Sequence, residues 1–250
     1  MQQNYFTLPK GQKAYFASDF HLGAPSMELS MMREKRIVRW LDEIAKDAGV
    51  LFLVGDLFDF WFEYRHVVPK GYVRFLGKLA ELSDRGVQIV VFIGNHDLWI
   101  KDYLKEQVSA IIYATAQDVQ INGKYFHIAH GDGLDPADKK FRLIKKVFTN
   151  PFCQWLFSWL HPDVGVALAN AWSGRSRKEK EGQNDDAHLI RYSEGLQALS
   201  PHDFYMYGDC HIDRLQDLEG AIYCNLGDWI TRSTYARFDG ENLELLTFEG

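Results

Sequence analysis

The apolar and polar positions of the first hundred residues alternate between short apolar runs and longer amphipathic segments. Apolar runs at residues 13–18, 50–54 and 87–93 have the length expected of strands. Residues 28–47 and 72–85 carry apolar side chains at helical spacing, and a glycine follows shortly after each segment. This strand–helix order predicts parallel pairing with right-handed crossovers.

The rest of the chain changes character twice. Residues 132–199 show a helical pattern, broken at Asn150-Pro151 and at His161-Pro162, and interrupt a series of short strand-like segments. We therefore expect two sheets packed face to face with helices outside. The prediction is a single α/β domain of residues 1–250 with a helical insertion at about 132–199. The predicted strands are 111–113, 118–121, 125–129, 203–207, 214–218, 221–225, 233–238 and 243–248.

The charge of the chain is uneven along its length. The 250 residues carry a net charge of −6, which argues against a general nucleic-acid binder. Residues 136–180 hold nine basic and three acidic side chains, so this segment is +6 and the remainder −12. A basic segment on an acidic body suggests an anionic substrate or surface, although solvated helix faces would give the same pattern.

The compartment is suggested by cysteine usage and by hydropathy. The three cysteines form no C-x-x-C pair, as expected of a chain kept in a reducing compartment. The first residues lack the apolar core of a signal peptide, and no apolar run reaches the ~20 residues that a membrane-spanning helix needs. We expect a cytoplasmic protein that can still touch a membrane.

The most informative feature is the set of polar residues that follows five of the predicted strands. Each strand end offers a carboxylate, an amide or an imidazole, and such ends of an α/β sheet face the crevice where ligands bind. Five strand ends with these ligands favour a metal site over five unrelated turns. The motifs are Asp19-x-His21, Gly55-Asp56, Gly94-Asn95-His96-Asp97, His130-Gly131-Asp132 and Gly208-Asp209-Cys210-His211.

A two-metal arrangement accounts for all of these residues. Two divalent ions about 3.5–4 Å apart can clamp a phosphate and position an attacking hydroxide, and such a pair needs a bridging ligand. We assign Asp56 as the bridge. Asp19, His21 and His211 would complete one metal, and Asn95, His130 and Asp209 the other.

Two further residues are predicted to take part in catalysis. A cationic His96, one residue after Asn95, could stabilise phosphate oxygens and protonate the leaving group, with Asp97 orienting its ring. Each residue alone has a simpler interpretation, such as a turn Asp, a turn Asn or a hydrogen-bonded structural His. It is the ordered set that favours a metal centre.

The order of these motifs resembles that of the calcineurin-like metallophosphoesterases over nearly the whole chain. The resemblance implies a four-layer α/β/β/α sandwich with a helical lid. It also implies two divalent ions, commonly Mn, with Mg, Fe or Zn as alternatives. Within the family the chain is similar to the UDP-2,3-diacylglucosamine diphosphatases of lipid A biosynthesis. The shared motifs are Gly55-Asp56-Leu57-Phe58-Asp59-Phe60-Trp61, His130-Gly131-Asp132, Asn150-Pro151 and Leu226-Gly227-Asp228-Trp229.

The chain departs from that subfamily at two positions. His96 stands where the subfamily often has Arg, and Asp209 stands where the last motif normally has its first His. An Asp can still ligate a hard ion through oxygen. If it does not, the second metal would be weakened or lost.

The resemblance also implies a substrate and its contacts. It predicts hydrolysis of the pyrophosphate of UDP-2,3-diacylglucosamine to UMP and 2,3-diacylglucosamine 1-phosphate by a peripheral protein on the cytoplasmic face of the inner membrane. Aromatic residues and bases in the insertion would bind acyl chains and lipid, unless they only pack a helical hairpin. A phosphoesterase for another nucleotide and a non-catalytic binding module remain alternatives. The expected substrate contacts are Asn95, His96, Asp138, Phe141, Ser176 and Lys180.

Overall fold

The computed structural model describes residues 4–135, 139–180 and 185–250, without the side chains of residues 140, 170, 172 and 174–180. Twelve strands lie within these ranges. In chain order they are β1 Tyr5–Phe6, β2 Lys13–Ala17, β3 Ala48–Val54, β4 Gln88–Phe92, β5 Ile111–Tyr113, β6 Gln117–Ile121, β7 Lys124–Ile128, β8 Phe204–Tyr207, β9 Asp213–Leu218, β10 Ala221–Leu226, β11 Thr234–Phe238 and β12 Leu243–Thr247.

The strands form two six-stranded sheets. The first has the order β12-β11-β2-β3-β4-β5, and the second has the order β1-β6-β7-β8-β10-β9. Helices cover both outer faces, as the sequence predicted. The described helices are α1 Met27–Ile44, α2 Val73–Asp84, α3 Tyr103–Val108, α4 Lys139–Phe148, α5 Pro151–Ser158, α6 Pro162–Lys180 and α7 Ala187–Leu199.

Three apolar layers hold the four structural layers together. The inner faces of the two sheets meet in an aromatic core, where Phe16 stacks on Phe52 at 4.8 Å and on Phe126 of the opposite sheet at 5.7 Å. A second core, which includes Trp40 and Phe75, fills the space between the first sheet and its helices. A third core packs Leu189 of α7 against the second sheet. The α/β/β/α sandwich is therefore confirmed.

The strands of the last third of the chain, which the sequence pattern predicts to be mostly antiparallel, are paired in both directions. Strands β11 and β12 extend the first sheet. Strand β11 pairs antiparallel with β2, and β12 pairs antiparallel with β11. Strand β8 runs parallel to both β7 and β10, although β9 and β10 are antiparallel as expected. The helical insertion supplies the long connection that parallel β7 and β8 require.

Parallel pairing brings the predicted motifs to one place. Strands β2, β3 and β4 are parallel neighbours, so their carboxyl ends lie at one edge of the first sheet. Strands β7 and β8 likewise end together in the second sheet. Each of these five strands leads directly into one of the predicted motifs, and the two edges form the walls of a single crevice.

Candidate metal centre

The loops that carry the predicted ligands have unusual backbone conformations. Their φ angles lie between 43° and 62°, in the left-handed region that non-glycine residues rarely adopt. Such strain persists only where the surrounding structure imposes it, and it is concentrated at functional sites. The five residues are Asp19, His21, Asp56, Asp209 and His211.

The glycines of these motifs allow close packing between the loops. A Cβ atom on Gly55 would lie 2.5 Å from Nδ1 of His130, and one on Gly208 would lie 2.6 Å from Oδ2 of Asp19. Neither contact is tolerable for real atoms. The Gly-Asp pairs therefore let ligands of one strand end approach the backbone of another.

Asp19, His21 and His211 form the first cluster. The Nε2 atoms of His21 and His211 lie 3.1 Å apart. Oδ1 of Asp19 is 3.5 Å from Nε2 of His21 and 3.1 Å from Nε2 of His211. One carboxylate oxygen and two imidazole nitrogens thus converge on a common point, as ligands of a single cation would.

The second cluster lies against the first. Asp56 and His130 approach with Oδ2 3.4 Å from Nε2, and Asp19 completes the group. Oδ1 of Asp209 is 3.9 Å from the same nitrogen of His130. The residue that replaces the usual His therefore points an oxygen toward this second cluster.

Asp56 lies between the two clusters. Its Oδ2 atom is 3.7 Å from Nε2 of His21 and 3.4 Å from Nε2 of His130. Its other oxygen, Oδ1, accepts a hydrogen bond from the backbone N–H of His96 at 2.9 Å, which fixes the carboxylate plane. This is the position that a bridging ligand needs.

The hydrogen bonds of these side chains fit a metal site. The Asp19 carboxylate accepts from the Ser18 hydroxyl and from the Asp209 backbone through Oδ2, whereas the buried Oδ1 has no hydrogen-bond partner among the described residues. The ring of His130 donates from Nδ1 to the Val54 carbonyl at 2.8 Å, and its Nε2 is likewise buried and unpaired. Metal-ligating histidines are oriented in this way by a partner on the other nitrogen.

Asn95 shows the same feature. Its buried Oδ1 has no hydrogen-bond partner in the part of the chain that the structure covers. An unpaired buried carbonyl oxygen is costly unless something else satisfies it, and a hard cation would do so without adding charge.

The electrostatics of the centre reflect its closely spaced acids and imidazoles. Burial favours neutral forms, yet the facing histidines hold the pKa of Asp19 and Asp56 below the usual value. Burial also works to lower the pKa of His21, but the nearby carboxylates of Asp19 and Asp59 raise it to about 10. The carboxylates are therefore ionised and ready to bind cations, which would displace the imidazole protons.

His96 lies beside the clusters, and its ring is held by residues that the sequence did not indicate. Its Nδ1 atom is 3.1 Å from the carbonyl oxygen of Asp59 and 3.2 Å from Oγ of Ser173. The Ser173 hydroxyl donates to Oδ2 of Asp59 at 2.9 Å. Bonding to the carbonyl places a proton on Nδ1 and leaves Nε2 for the substrate. Burial lowers the pKa of His96, which favours loss of a proton from the cationic ring that the sequence predicted.

The structure gives Asp97 a different role from the predicted one. Its two oxygens accept from the backbone N–H groups of Gly94 at 2.7 Å and Leu57 at 2.8 Å. The side chain is fully buried, and burial, together with the nearby Asp56 carboxylate, raises its pKa to about 7. Asp97 thus ties two ligand-bearing loops together, while Asp59 and Ser173 orient His96.

The predicted substrate contacts in the insertion are only partly visible. Phe141 is half-buried in α4, and its ring would lie 3.4 Å from a Cβ atom on Gly133, close to the His130 loop. Lys145 of the same helix forms an ion pair with buried Asp132 at 2.5 Å. Asp138 and the side chains of Ser176 and Lys180 lie outside the described residues.

Comparison with known proteins agrees with this geometry. The model of the calcineurin-like phosphoesterase family matches residues 13–213. The chain belongs to the calcineurin-like phosphoesterase family. The match includes every strand end that contributes a candidate ligand. As a member of this family the chain is a hydrolase, and the two clusters are candidate ligand groups for the divalent metals that the family implies.

Individual proteins with similar sequences or folds cover more than nine-tenths of the chain. A UDP-2,3-diacylglucosamine hydrolase of Porphyromonas gingivalis is 38% identical over 95% of this chain and 98% of its own length. A UDP-2,3-diacylglucosamine hydrolase of Yersinia pseudotuberculosis is 23% identical over 93% of this chain and 98% of its own. A solved structure described as a novel archaeal phosphodiesterase has a TM-score of 0.49 and 15% identity, covering 94% of this chain and 99% of that one.

None of the helices in the described ranges is long and apolar enough to cross a bilayer.

Proposed function

We propose that this phosphoesterase hydrolyses the pyrophosphate bond of UDP-2,3-diacylglucosamine, giving UMP and 2,3-diacylglucosamine 1-phosphate in lipid A biosynthesis. The observation that carries the proposal is the position of Asp56, whose Oδ2 faces His21 of one cluster and His130 of the other. The substrate assignment is supported by the relative with 38% identity over nearly both full lengths, a UDP-2,3-diacylglucosamine hydrolase.

The two clusters would hold two divalent cations, for which we propose Mn. When bound, such a pair polarises a phosphoryl oxygen and lowers the pKa of a coordinated water. Oxygen-rich sites with some imidazole suit Mn, and the amide of Asn95 adds a neutral oxygen. One cation would be held by Asp19, His21, Asp56 and His211, and the other by Asp56, Asn95, His130 and Asp209.

We further propose that His96 acts on the leaving group. Its Nδ1 is fixed by the Asp59 carbonyl and Ser173, so Nε2 is the nitrogen free to face a substrate phosphate. A ring protonated at Nε2 can donate a proton to the departing oxygen and become neutral, which the burial of the ring favours. Asp97 supports this chemistry only through the loops that it ties together.

The insertion of residues 132–199 is proposed to be a cap within a single domain of residues 1–250. It is attached to the body by an aromatic cluster in which Phe157 lies 4.8 Å from Phe62 and 4.7 Å from Trp99. The Trp99 indole also donates to the Phe148 carbonyl at 2.6 Å. Ser173, from the third helix of the cap, reaches the catalytic His96 directly.

The outer side of the cap is proposed to bind the acyl chains and the cytoplasmic face of the inner membrane. Phe152, Trp155 and Trp159 are exposed by 63%, 52% and 74% and form a continuous row of rings. Exposed Arg142 and Lys146 lie on the neighbouring helix α4. Exposed aromatic rings next to bases are typical of surfaces that meet anionic lipid.

Release of UMP by the purified, Mn-loaded protein tests this function. Each buried methylene contributes roughly 0.8 kcal/mol, so we expect kcat/KM for UDP-2,3-diacylglucosamine to exceed that for UDP-GlcNAc by at least ~100-fold. Equal rates would favour a phosphoesterase for another nucleotide. Binding of the lipid without any UMP release would instead show a binding module.

A further inference from the structure

A second group of potential metal ligands lies on the outer face of the second sheet. Asp118 of β6 and His127 of β7 are direct cross-strand partners, so their side chains lie on the same face. His202 reaches them from the turn between α7 and β8. Oδ1 of Asp118 is 2.6 Å from Nδ1 of His127 and 3.1 Å from Nε2 of His202.

The His202 imidazole is oriented as a metal ligand is. His202 donates from Nδ1 to the Ser200 carbonyl at 2.7 Å, which turns its Nε2 toward Asp118. A backbone carbonyl that fixes one ring nitrogen is the usual support for a ligand at the other. The rest of the turn is held as well, because Gln197 accepts from the backbone N–H of His202 at 2.9 Å.

The burial and exposure of these three side chains favour a metal site over a simple hydrogen-bonded group. Both histidines are buried, whereas the side chain of Asp118 is 60% exposed and offers entry from solvent. Nε2 of His127 is buried with no hydrogen-bond partner among the described residues, so the observed hydrogen-bonding contact of this ring is the one between Nδ1 and Asp118. Burial lowers the pKa of His127, which keeps its ring in the neutral form that metals require.

We propose that Asp118, His127 and His202 bind one divalent transition metal, such as Zn²⁺, at a site separate from the catalytic centre. Two imidazoles and one carboxylate suit Zn²⁺, and three protein ligands leave a fourth position for water. Their ligand atoms all lie within 4.8 Å of one another.

The ion would join three elements that are otherwise held mainly by the sheet. It links the β6–β7 hairpin to the turn that leads into β8. Strands β7 and β8 continue to His130 and Asp209, so the site fixes the two strands that bring these residues together.

Zinc stoichiometry in matched variants tests the proposal. Metal-free protein is dialysed against micromolar free Zn²⁺, and bound zinc per chain is measured by elemental analysis. We expect His202→Gln and Asp118→Asn each to bind one ion fewer than the wild type. Asp217→Asn, a change at an exposed strand residue of the same sheet outside every cluster, should bind as the wild type does.

The result is decided by the difference in bound zinc per chain between wild type and variant. Zinc bound at the catalytic centre is present in both and does not affect this difference. Circular dichroism would show whether His202→Gln folds. If it does not, Asp118→Asn still tests the site, because the side chain of Asp118 is exposed. Equal zinc content in wild type, His202→Gln and Asp118→Asn would overturn the proposal and leave a hydrogen-bonded Asp–His cluster.

Discussion

At the scale of single residues, the centre is defined by side chains held in costly conformations. Asp, Asn and His tolerate the left-handed region better than most residues, and all five strained ligands are Asp or His. Asp and His therefore suit both the left-handed backbone conformation of these loops and the ligation of a metal. Asp209 illustrates this, because its φ of 62° suits either Asp or the His that the resemblance predicts there.

Replacement of Asp209 tests whether it is a ligand. Asp209→His should keep the fold and raise second-site Mn affinity or turnover, because imidazole replaces a carboxylate oxygen that lies 3.9 Å from Nε2 of His130. Asp209→Ala should weaken second-site affinity by at least ~10-fold, since even supporting residues of metal sites contribute that much. Titration of metal-free protein with Mn checks both. If neither variant changes binding or rate, Asp209 is not a ligand.

At the scale of elements, the cap helix α5 has two aromatic faces with different roles. Phe157 packs against Phe62 and Trp99 of the body, whereas Trp155 and Trp159 are exposed. Packing alone explains the first face. On the second face Trp155 and Trp159 contact each other but stay exposed, and lipid would cover them.

Paired alanine variants of α5 separate these roles. Trp155→Ala should lower kcat/KM for the diacyl substrate by at least ~10-fold, because lost apolar contact weakens acyl binding, yet leave a small chromogenic phosphodiester unaffected. Phe157→Ala should instead lower Tm, with a cost of roughly 2 kcal/mol for a half-buried ring. Equal loss with both substrates in Trp155→Ala would mean that this ring holds the fold and does not bind lipid.

At the scale of the whole molecule, the centre lies where two sheets meet. Ligands from β2 and β3 face ligands from β7 and β8, so bound cations would tie the two sheets together. Within the described part of the chain, buried atoms of Asp19, Asn95 and His130 have no hydrogen-bond partner, and cations would satisfy them. Metal binding should therefore contribute to global stability as well as to chemistry.

Removal of metal should lower Tm by about 5–10 °C. A ligand present at 100 times its Kd stabilises the fold by about 2.7 kcal/mol, and each kcal/mol shifts Tm by about 2–4 °C in a chain of this size. Differential scanning calorimetry with Mn and after chelation measures the change. In Asp56→Asn the difference in Tm between Mn-loaded and chelated protein should be small. In Asp163→Asn, at a surface position of the cap, the difference should be as large as in the wild type. An identical Tm with and without metal in the wild type would contradict this expectation.

The sequence predicted the parts of the molecule that local pattern determines. Strand ends and their ligands could be predicted because β2, β3 and β4 are parallel neighbours, which aligns Asp19, Asp56 and Asn95. The contacts that hold the His96 ring could not be predicted, because Asp59 and Ser173 are 114 residues apart and meet only when the cap folds over the body. The role of Asp97 was hidden because its partners are backbone N–H groups, which every residue but proline has.

Electron paramagnetic resonance of the Mn-loaded protein tests the two-metal centre most directly. Two Mn²⁺ ions bridged by Asp56 should be about 3.5–4 Å apart and should give an exchange-coupled spectrum. The coupling should persist in Asp118→Asn, which removes a ligand of the separate cluster, and should disappear in Asp56→Asn. An uncoupled six-line Mn²⁺ spectrum from the fully loaded wild type would contradict the account.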